Sequence, residues 1–378
     1  MTPHDDARGP GTDATDPGEV RVMIAGGGTG GHLMPALVLA RELVSRPRPA
    51  RVTLIGGDRG PDREVYGGSG LPYRILSAPR VERARWWRNA ALPARLASAV
   101  LEARRLVAEL DPHVVVGTGG YASAPPVMAA VFAKRPIVLQ EQNSRPGLTT
   151  RFLARWADLA CVQFESAAEE LAGKTDVELT GSPIAPQVPS EAPFAGRLDP
   201  ALATVGVFGG SQGARALNDA LLGLAAEADV PRFNLVWQTG ASDHARVAAA
   251  RAWPQEVVIE RFFSPMTAVY PLLDLIVCRA GAMTLAEVAA WGIPSVLVPY
   301  PHAADDHQTK NARALEDKGA AIVLPESELS ARRLSNLIAG LLSDPGRMAR
   351  MGAAARATAR PDAARVIADR ILALAEAA

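Results

Sequence analysis

The run Arg21-Val22-Met23-Ile24-Ala25-Gly26-Gly27-Gly28-Thr29-Gly30-Gly31-His32 places a string of glycines after an aliphatic stretch and before the helical pattern 35–44. Glycines let backbone N–H groups approach an anion closely, and a helix N-terminus adds about half a positive charge, so an oxyanion or a diphosphate suits this turn. Gly26, Gly28 and Gly31 also satisfy a dinucleotide fingerprint, with Asp58 after the next strand placed to hold a ribose. A tight strand-to-helix turn without any ligand is the plain alternative. Two more such turns follow, Gly117-Thr118-Gly119-Gly120-Tyr121 and Gly209-Gly210-Ser211-Gln212-Gly213-Ala214-Arg215. Three of them, each between a strand and a helix, exceed what packing requires, because open α/β sheets bind ligands at the carboxyl ends of their strands.

A fourth candidate is Cys278-Arg279-Ala280-Gly281-Ala282-Met283-Thr284-Leu285-Ala286-Glu287. The Glu287 carboxylate is suited to the two hydroxyls of a ribose diol, while Thr284 and Glu287 equally have the spacing of a capping box. Downstream, Asp305-Asp306-His307-Gln308 offers carboxylates and an amide that either hydrogen-bond a hexose or begin a helix. Glu141-Gln142-Asn143 follows the strand 137–139, where uncharged amides suit sugar hydroxyls or an acetamido group and a solvated loop is the alternative.

These residues need strands and helices in alternation to hold them. A short β-branched strand, a glycine turn and an Ala/Leu-rich helix recur at 20–43, 114–133, 204–222 and 275–291, which demands right-handed crossovers and mostly parallel sheets. The fold class is α/β. With 378 residues, 48% of them hydrophobic, the chain has enough material for two domains. Residues 1–19 read as a flexible tail, 20–181 as a first domain, the proline-rich 182–200 as a linker, 201–360 as a second domain and 361–378 as a closing helix. Forty Lys plus Arg balance forty Asp plus Glu, leaving no global field for nucleic acid. The window 114–133 has the length of a membrane span, yet its glycines and prolines divide it into strand, turn and helix. Cys161 and Cys278 each sit in an apolar run, as buried strand cysteines do, and with no signal peptide legible a cytoplasmic location is expected.

Taken together, Gly27–His32, Gly119–Tyr121, Glu141–Asn143, Gly209–Arg215 and Cys278–Thr284 resemble the MurG family, bacterial N-acetylglucosaminyltransferases, in matching order over residues 20–360. The resemblance implies a GT-B architecture: two Rossmann-like domains with parallel sheets facing across a cleft, the last helix returning to the first domain. It implies UDP-N-acetylglucosamine as donor on the second domain and lipid I, the undecaprenyl-pyrophosphoryl-muramoyl-pentapeptide, as acceptor on the first. The product is lipid II, a peptidoglycan precursor. By the same resemblance Thr29, Gly30, Gly31 and Asn143 face the donor sugar and diphosphate, and Ser211 contacts phosphate through its backbone. Phe263 presents backbone groups to uracil, Ala282, Met283, Thr284, Leu285, Ala286 and Glu287 hold sugar and ribose, and Gln308 meets sugar hydroxyls. Some positions depart from the family pattern. Gly181-Ser182-Pro183-Ile184-Ala185 stands where the family has Gly-Asn-Pro, an aliphatic residue and Arg; Gln140 replaces a His and Thr150 an Asn.

An α-linked donor and a β-linked product imply inversion by one in-line displacement. His32, at the mouth of the first turn, is the candidate base for the acceptor 4-hydroxyl, since an imidazole ordinarily titrates near working pH. Helix N-termini suffice for the departing diphosphate, so no metal and no other cofactor is expected. The stretch 80–95 sets Arg83, Arg85 and Arg88 around Trp86 and Trp87, which suits peripheral docking at the cytoplasmic face of the cell membrane. A UDP-sugar transferase with another lipid acceptor, an NAD-dependent oxidoreductase and a catalytically silent binding protein are the alternatives.

Overall fold

The computed structural model describes residues 19–79, 91–210, 213–224, 231–250 and 257–377. The expected phosphate contact Ser211 and the expected docking residues Arg83, Arg85, Trp86, Trp87 and Arg88 lie outside them. Contacts divide the chain into residues 1–185 with 362–378, and residues 186–361, so the division falls inside the stretch read as a linker.

The first unit alternates β1 (Arg21–Ala25), α1 (Gly30–Val44), β2 (Arg51–Gly57), α2 (Asp62–Gly67), β3 (Tyr73–Leu76), α3 (Leu92–Leu110), β4 (Val114–Gly117), α4 (Ala124–Ala133), β5 (Ile137–Glu141), α5 (Leu148–Leu153), β6 (Leu159–Val162), α6 (Glu165–Leu171) and β7 (Asp176–Leu179). Its seven strands are parallel, in the order β3-β2-β1-β4-β5-β6-β7. Val22 to Ala25 and Val114 to Val116 are buried, as strands covered by helices on both faces must be. The window 114–133 is thus β4, a glycine turn and α4, and no described helix is long and apolar enough to cross a membrane.

The second unit runs β8 (Thr204–Phe208), α7 (Arg215–Leu224), β9 (Asn234–Gln238), α8 (His244–Ala249), β10 (Val257–Glu260), β11 (Leu275–Cys278), α9 (Ala282–Trp291), β12 (Ser295–Leu297), α10 (His307–Glu316), β13 (Ala321–Val323), α11 (Ala331–Leu342) and α12 (Pro345–Thr358). Six parallel strands lie in the order β10-β9-β8-β11-β12-β13. The last helix, α13 (Ala363–Glu376), belongs to the first unit, where Ile367, Ala368 and Ile371 join the core formed by Leu33, Leu37, Leu43 and Val22.

Strand order locates the sites. In the first sheet β1 pairs with β2 on one side and β4 on the other, and in the second β8 pairs with β9 and β11. Successive crossovers therefore run in opposite directions away from β1 and from β8, which opens a crevice at the carboxyl ends of β1/β4 and of β8/β11. All three glycine turns, and the segment before Glu287, leave from these four strands.

Candidate active site

β1 runs into Gly26-Gly27-Gly28, and one carboxylate fixes that turn. Asp62, fully buried at the start of α2, accepts the Gly28 N–H at 2.9 and 3.0 Å and the Gly57 N–H at 2.8 Å. Tyr66, one turn on, donates its hydroxyl to the Gly26 carbonyl at 2.7 Å. Burial and the nearby Asp62 push this phenol far above its ordinary range, so it remains a donor. A Cβ at Gly27 would fall 2.0 Å from Asp62 Oδ2, so only glycine fits beside the carboxylate. The helix after the turn begins at Gly30, five residues before the expected start at Pro35. First-turn N–H groups need no helical partner, so the glycines enter the helix and leave those groups at the crevice. His32 consequently lies in the first turn, where the Thr29 carbonyl accepts from His32 N at 3.0 Å and Leu33 N at 3.1 Å. Thr29 and Gly30 are exposed; Gly31 and His32 are half-buried.

Two other loops converge on the His32 ring. Nδ1 lies 3.1 Å from the Thr118 carbonyl and 2.5 Å from the terminal amide of Gln142, and Thr118 Oγ1 donates to the His32 carbonyl at 2.8 Å. The loop after β5 is organised by Glu141, which is turned inward. Its Oε1 accepts from Asn143 N at 3.0 Å and Asn143 Nδ2 at 3.1 Å, and its Oε2 from Gly147 N at 2.9 Å and Thr150 Oγ1 at 2.7 Å. The solvated-loop alternative is thereby excluded. Gln140 and Ser182, two positions that differ from the family pattern, touch each other: Gln140 Nε2 is 3.3 Å from Ser182 Oγ, which donates to Gln163 Oε1 at 2.5 Å.

In the second unit, Gln238 at the end of β9 links two site segments. Its amide nitrogen donates to the Gly210 carbonyl at 3.3 Å, and its oxygen accepts the Phe263 N–H at 3.0 Å. That bond ties the Phe263 backbone, expected to face uracil, to the end of β9. Helix α9 is capped by Gly281, so Thr284 lies inside the helix and the capping-box alternative fails. Glu287 is half-buried and accepts the Tyr270 hydroxyl at 2.7 Å. Burial raises the pKa of this carboxyl and the Tyr270 bond opposes the rise, while the phenol is pushed well up by burial and by Glu287. Met283, Thr284 and Ala286 are half-buried, whereas Ala282 is buried and Leu285 is fully buried. The Leu285 side chain therefore faces the interior from α9. Gln308 Oε1 accepts the Tyr300 N–H at 2.9 Å, which fixes that amide at the start of α10. Asp306 accepts from Thr309 Oγ1 at 2.7 Å and the Asp305 carbonyl from Lys310 Nζ at 3.1 Å, the contacts of helix-start residues.

The chain is similar to known proteins along most of its length. Residues 22–162 match the glycosyltransferase family 28 N-terminal domain and residues 204–367 the glycosyltransferase family 28 C-terminal domain. A protein of Syntrophotalea carbinolica, named UDP-N-acetylglucosamine--N-acetylmuramyl-(pentapeptide) pyrophosphoryl-undecaprenol N-acetylglucosamine transferase, is 40% identical over 359 residues, 93% of this chain and 97% of that protein. Its namesake from Chlorobaculum tepidum is 40% identical over 368 residues, 94% of this chain and 100% of that one. The crystal structure of Acinetobacter baumannii MurG is similar with a TM-score of 0.74 at 30% identity, covering 94% of this chain and 99% of its own. The chain belongs to the MurG family. The calicheamicin glycosyltransferase CalG4, with a TM-score of 0.69 at 17% identity, shares the GT-B fold.

Within this MurG-family chain, sequence reasoning missed the residues that shape the site from behind. Asp62, Tyr66, Gln238 and Tyr270 sit in segments with no motif, and each acts on a residue at least 17 positions away. Only the glycines carried a trace of them, since a glycine that cannot accept a Cβ implies a neighbour pressed against it.

Proposed function

We propose that this chain transfers N-acetylglucosamine from UDP-N-acetylglucosamine to the 4-hydroxyl of the muramoyl sugar of lipid I, forming lipid II for the cell wall. The observation that carries this reading is the 40% identity to transferases of that printed name, over 93% and 94% of this chain. The second unit binds the donor. Glu287, held by Tyr270, takes the ribose hydroxyls, the N-termini of α7 and α9 neutralise the diphosphate, and Gln308 with Met283 and Thr284 meets the sugar. The first unit supplies His32 as base for the acceptor hydroxyl, with Thr29, Gly30, Gly31 and Asn143 on the donor sugar and diphosphate. Inversion follows from a single displacement. Backbone dipoles suffice for the leaving group, so the reaction proceeds in excess chelator. The deciding experiment is UDP release from UDP-N-acetylglucosamine with and without a lipid I analogue: release that depends on the analogue and a β-linked product are expected. Calorimetric heat with NADH and none with uridine nucleotides would sink the reading in favour of an oxidoreductase.

The acceptor is anchored in a bilayer, and one face of the first unit suits its surface. Helices α3 and α4 pack on each other, as do α4 and α5, and this group exposes Leu101, Phe132, Phe152 and Trp156. Arg104 stacks over Phe132 at 5.5 Å, and Arg155 over Phe152 and Trp156 at 4.9 and 5.2 Å. Aromatic rings with cations fit an anionic interface, so the enzyme docks peripherally at the cytoplasmic leaflet. Co-sedimentation with anionic vesicles should fall severalfold in a Phe132→Ser, Trp156→Ser double variant.

A further inference from the structure

Only one orientation of the Gln142 amide suits His32 Nδ1. An imidazole nitrogen that donates to the Thr118 carbonyl has no lone pair in the ring plane to accept from Gln142 Nε2, yet that amide nitrogen stands at 2.5 Å. At the same time Gln142, only 2% exposed, has its Oε1 buried without a hydrogen-bond partner. A half-turn of the terminal amide removes both faults, because it brings the oxygen to Nδ1 and satisfies the buried acceptor. We infer that Gln142 is a positioning residue: with the Thr118 carbonyl it accepts the Nδ1 proton of His32 and so fixes the tautomer whose Nε2 carries the lone pair.

The seat of the ring supports this. Gly119 has φ +97°, and a Cβ there would meet Nδ1 at 2.6 Å; at Gly120 it would meet Cδ2 at 3.1 Å. The ring therefore lies flat against the β4 turn, with Nδ1 enclosed by Thr118, Gly119 and Gln142. Gln142 is itself held in place, since both neighbours are fixed: Glu141 by four hydrogen bonds, and Asn143 by two of these same bonds. The inference deepens the proposed base role of His32. An acceptor hydroxyl gives its proton to Nε2, the oxygen forms the new bond to the anomeric carbon, and the sugar–diphosphate bond breaks with its electron pair on the phosphate oxygen. Nδ1–H remains hydrogen-bonded throughout, and its two acceptors stabilise the imidazolium.

The test is a nitrogen–proton correlation spectrum of the full-length enzyme with 15N-labelled histidines, His32 being identified by the signals lost in His32→Asn. The expected result is a protonated, pyrrole-like Nδ1 and a pyridine-like Nε2 in the neutral ring; the opposite tautomer overturns the inference. Kinetics give a second readout. Gln142→Leu should lower kcat about tenfold and leave the KM for UDP-N-acetylglucosamine within about twofold. Gln142→Glu places a carboxylate on Nδ1–H and should move the acid limb of the kcat profile up by about one pH unit. The titratable side chains that fix the neighbouring turns, Asp62 on Gly28 and Glu141 on Asn143, are common to wild type and variant. An unmoved limb in a folded Gln142→Glu enzyme counts against the inference. Normal turnover by His32→Ala would remove the base role alone, because the tautomer is read from the spectrum without turnover.

Discussion

At the residue scale the glycine that bears most closely on the His32 ring is Gly119. Its φ of +97° is strained for any L side chain, and a methyl group there would press on the His32 ring. Gly119→Ala should therefore destabilise the first unit by about 1–3 kcal/mol and, where it still folds, reduce kcat far more than donor affinity, because the displaced part is the proposed base. Thermal melting together with steady-state kinetics checks both. Asp243 offers a pH-dependent counterpart in the second unit. Hydrogen bonds from Arg246 and Asn218 hold its carboxyl at about 2, against an ordinary 3.8, although burial opposes them. The folded value lies below the unfolded one, so this stabilisation is complete above about pH 4 and disappears as pH falls through about 2. It amounts to on the order of 1–2 kcal/mol. Between these limits wild type should lose more melting temperature than Asp243→Asn.

At the scale of elements, each glycine turn is held by a partner from another strand–helix unit. Asn218 on α7 donates to the Thr239 carbonyl at 3.0 Å and to Asp243 at 2.7 Å, and accepts from Trp237 Nε1 at 2.9 Å, which ties the helix after the Gly209–Gly213 turn to the end of β9. Tyr270 does the same for α9 through Glu287. Tyr270→Phe should raise the donor KM about tenfold with kcat nearly unchanged, and shift the acid limb of donor binding upward, since the lost bond favours the ionised carboxylate. A UDP analogue without ribose hydroxyls should bind wild type and variant alike, whereas equal losses with both nucleotides would contradict the ribose role of Glu287. Such partners explain what the sequence could and could not disclose. The strand-turn-helix units were legible because valine-rich strands and glycine turns declare themselves within 20 residues. Gln142 lies 110 positions from His32, and Asp62 lies 34 from Gly28, so nothing local announces either pair. The Gly30 start of α1 was missed because Pro35 looks like a first helical residue, although here it lies inside the helix.

At the scale of the whole molecule, the first unit is discontinuous in sequence: α13 completes a core begun at β1. Ile367 and Ile371 are fully buried there, and removing residues 363–377 would delete them and uncover their partners on α1. At about 2 kcal/mol for each large aliphatic side chain, the loss is on the order of 5 kcal/mol, comparable with the total stability of many domains. The truncated chain should therefore show an early unfolding transition in calorimetry and lose transferase activity, while its second unit still takes up heat on binding UDP. The same layout dictates an order of assembly during translation. Ribosomes deliver the segment that finishes the lobe bearing His32 only after the whole second unit has been made, so on a nascent chain the later-encoded lobe can close its core before the earlier one.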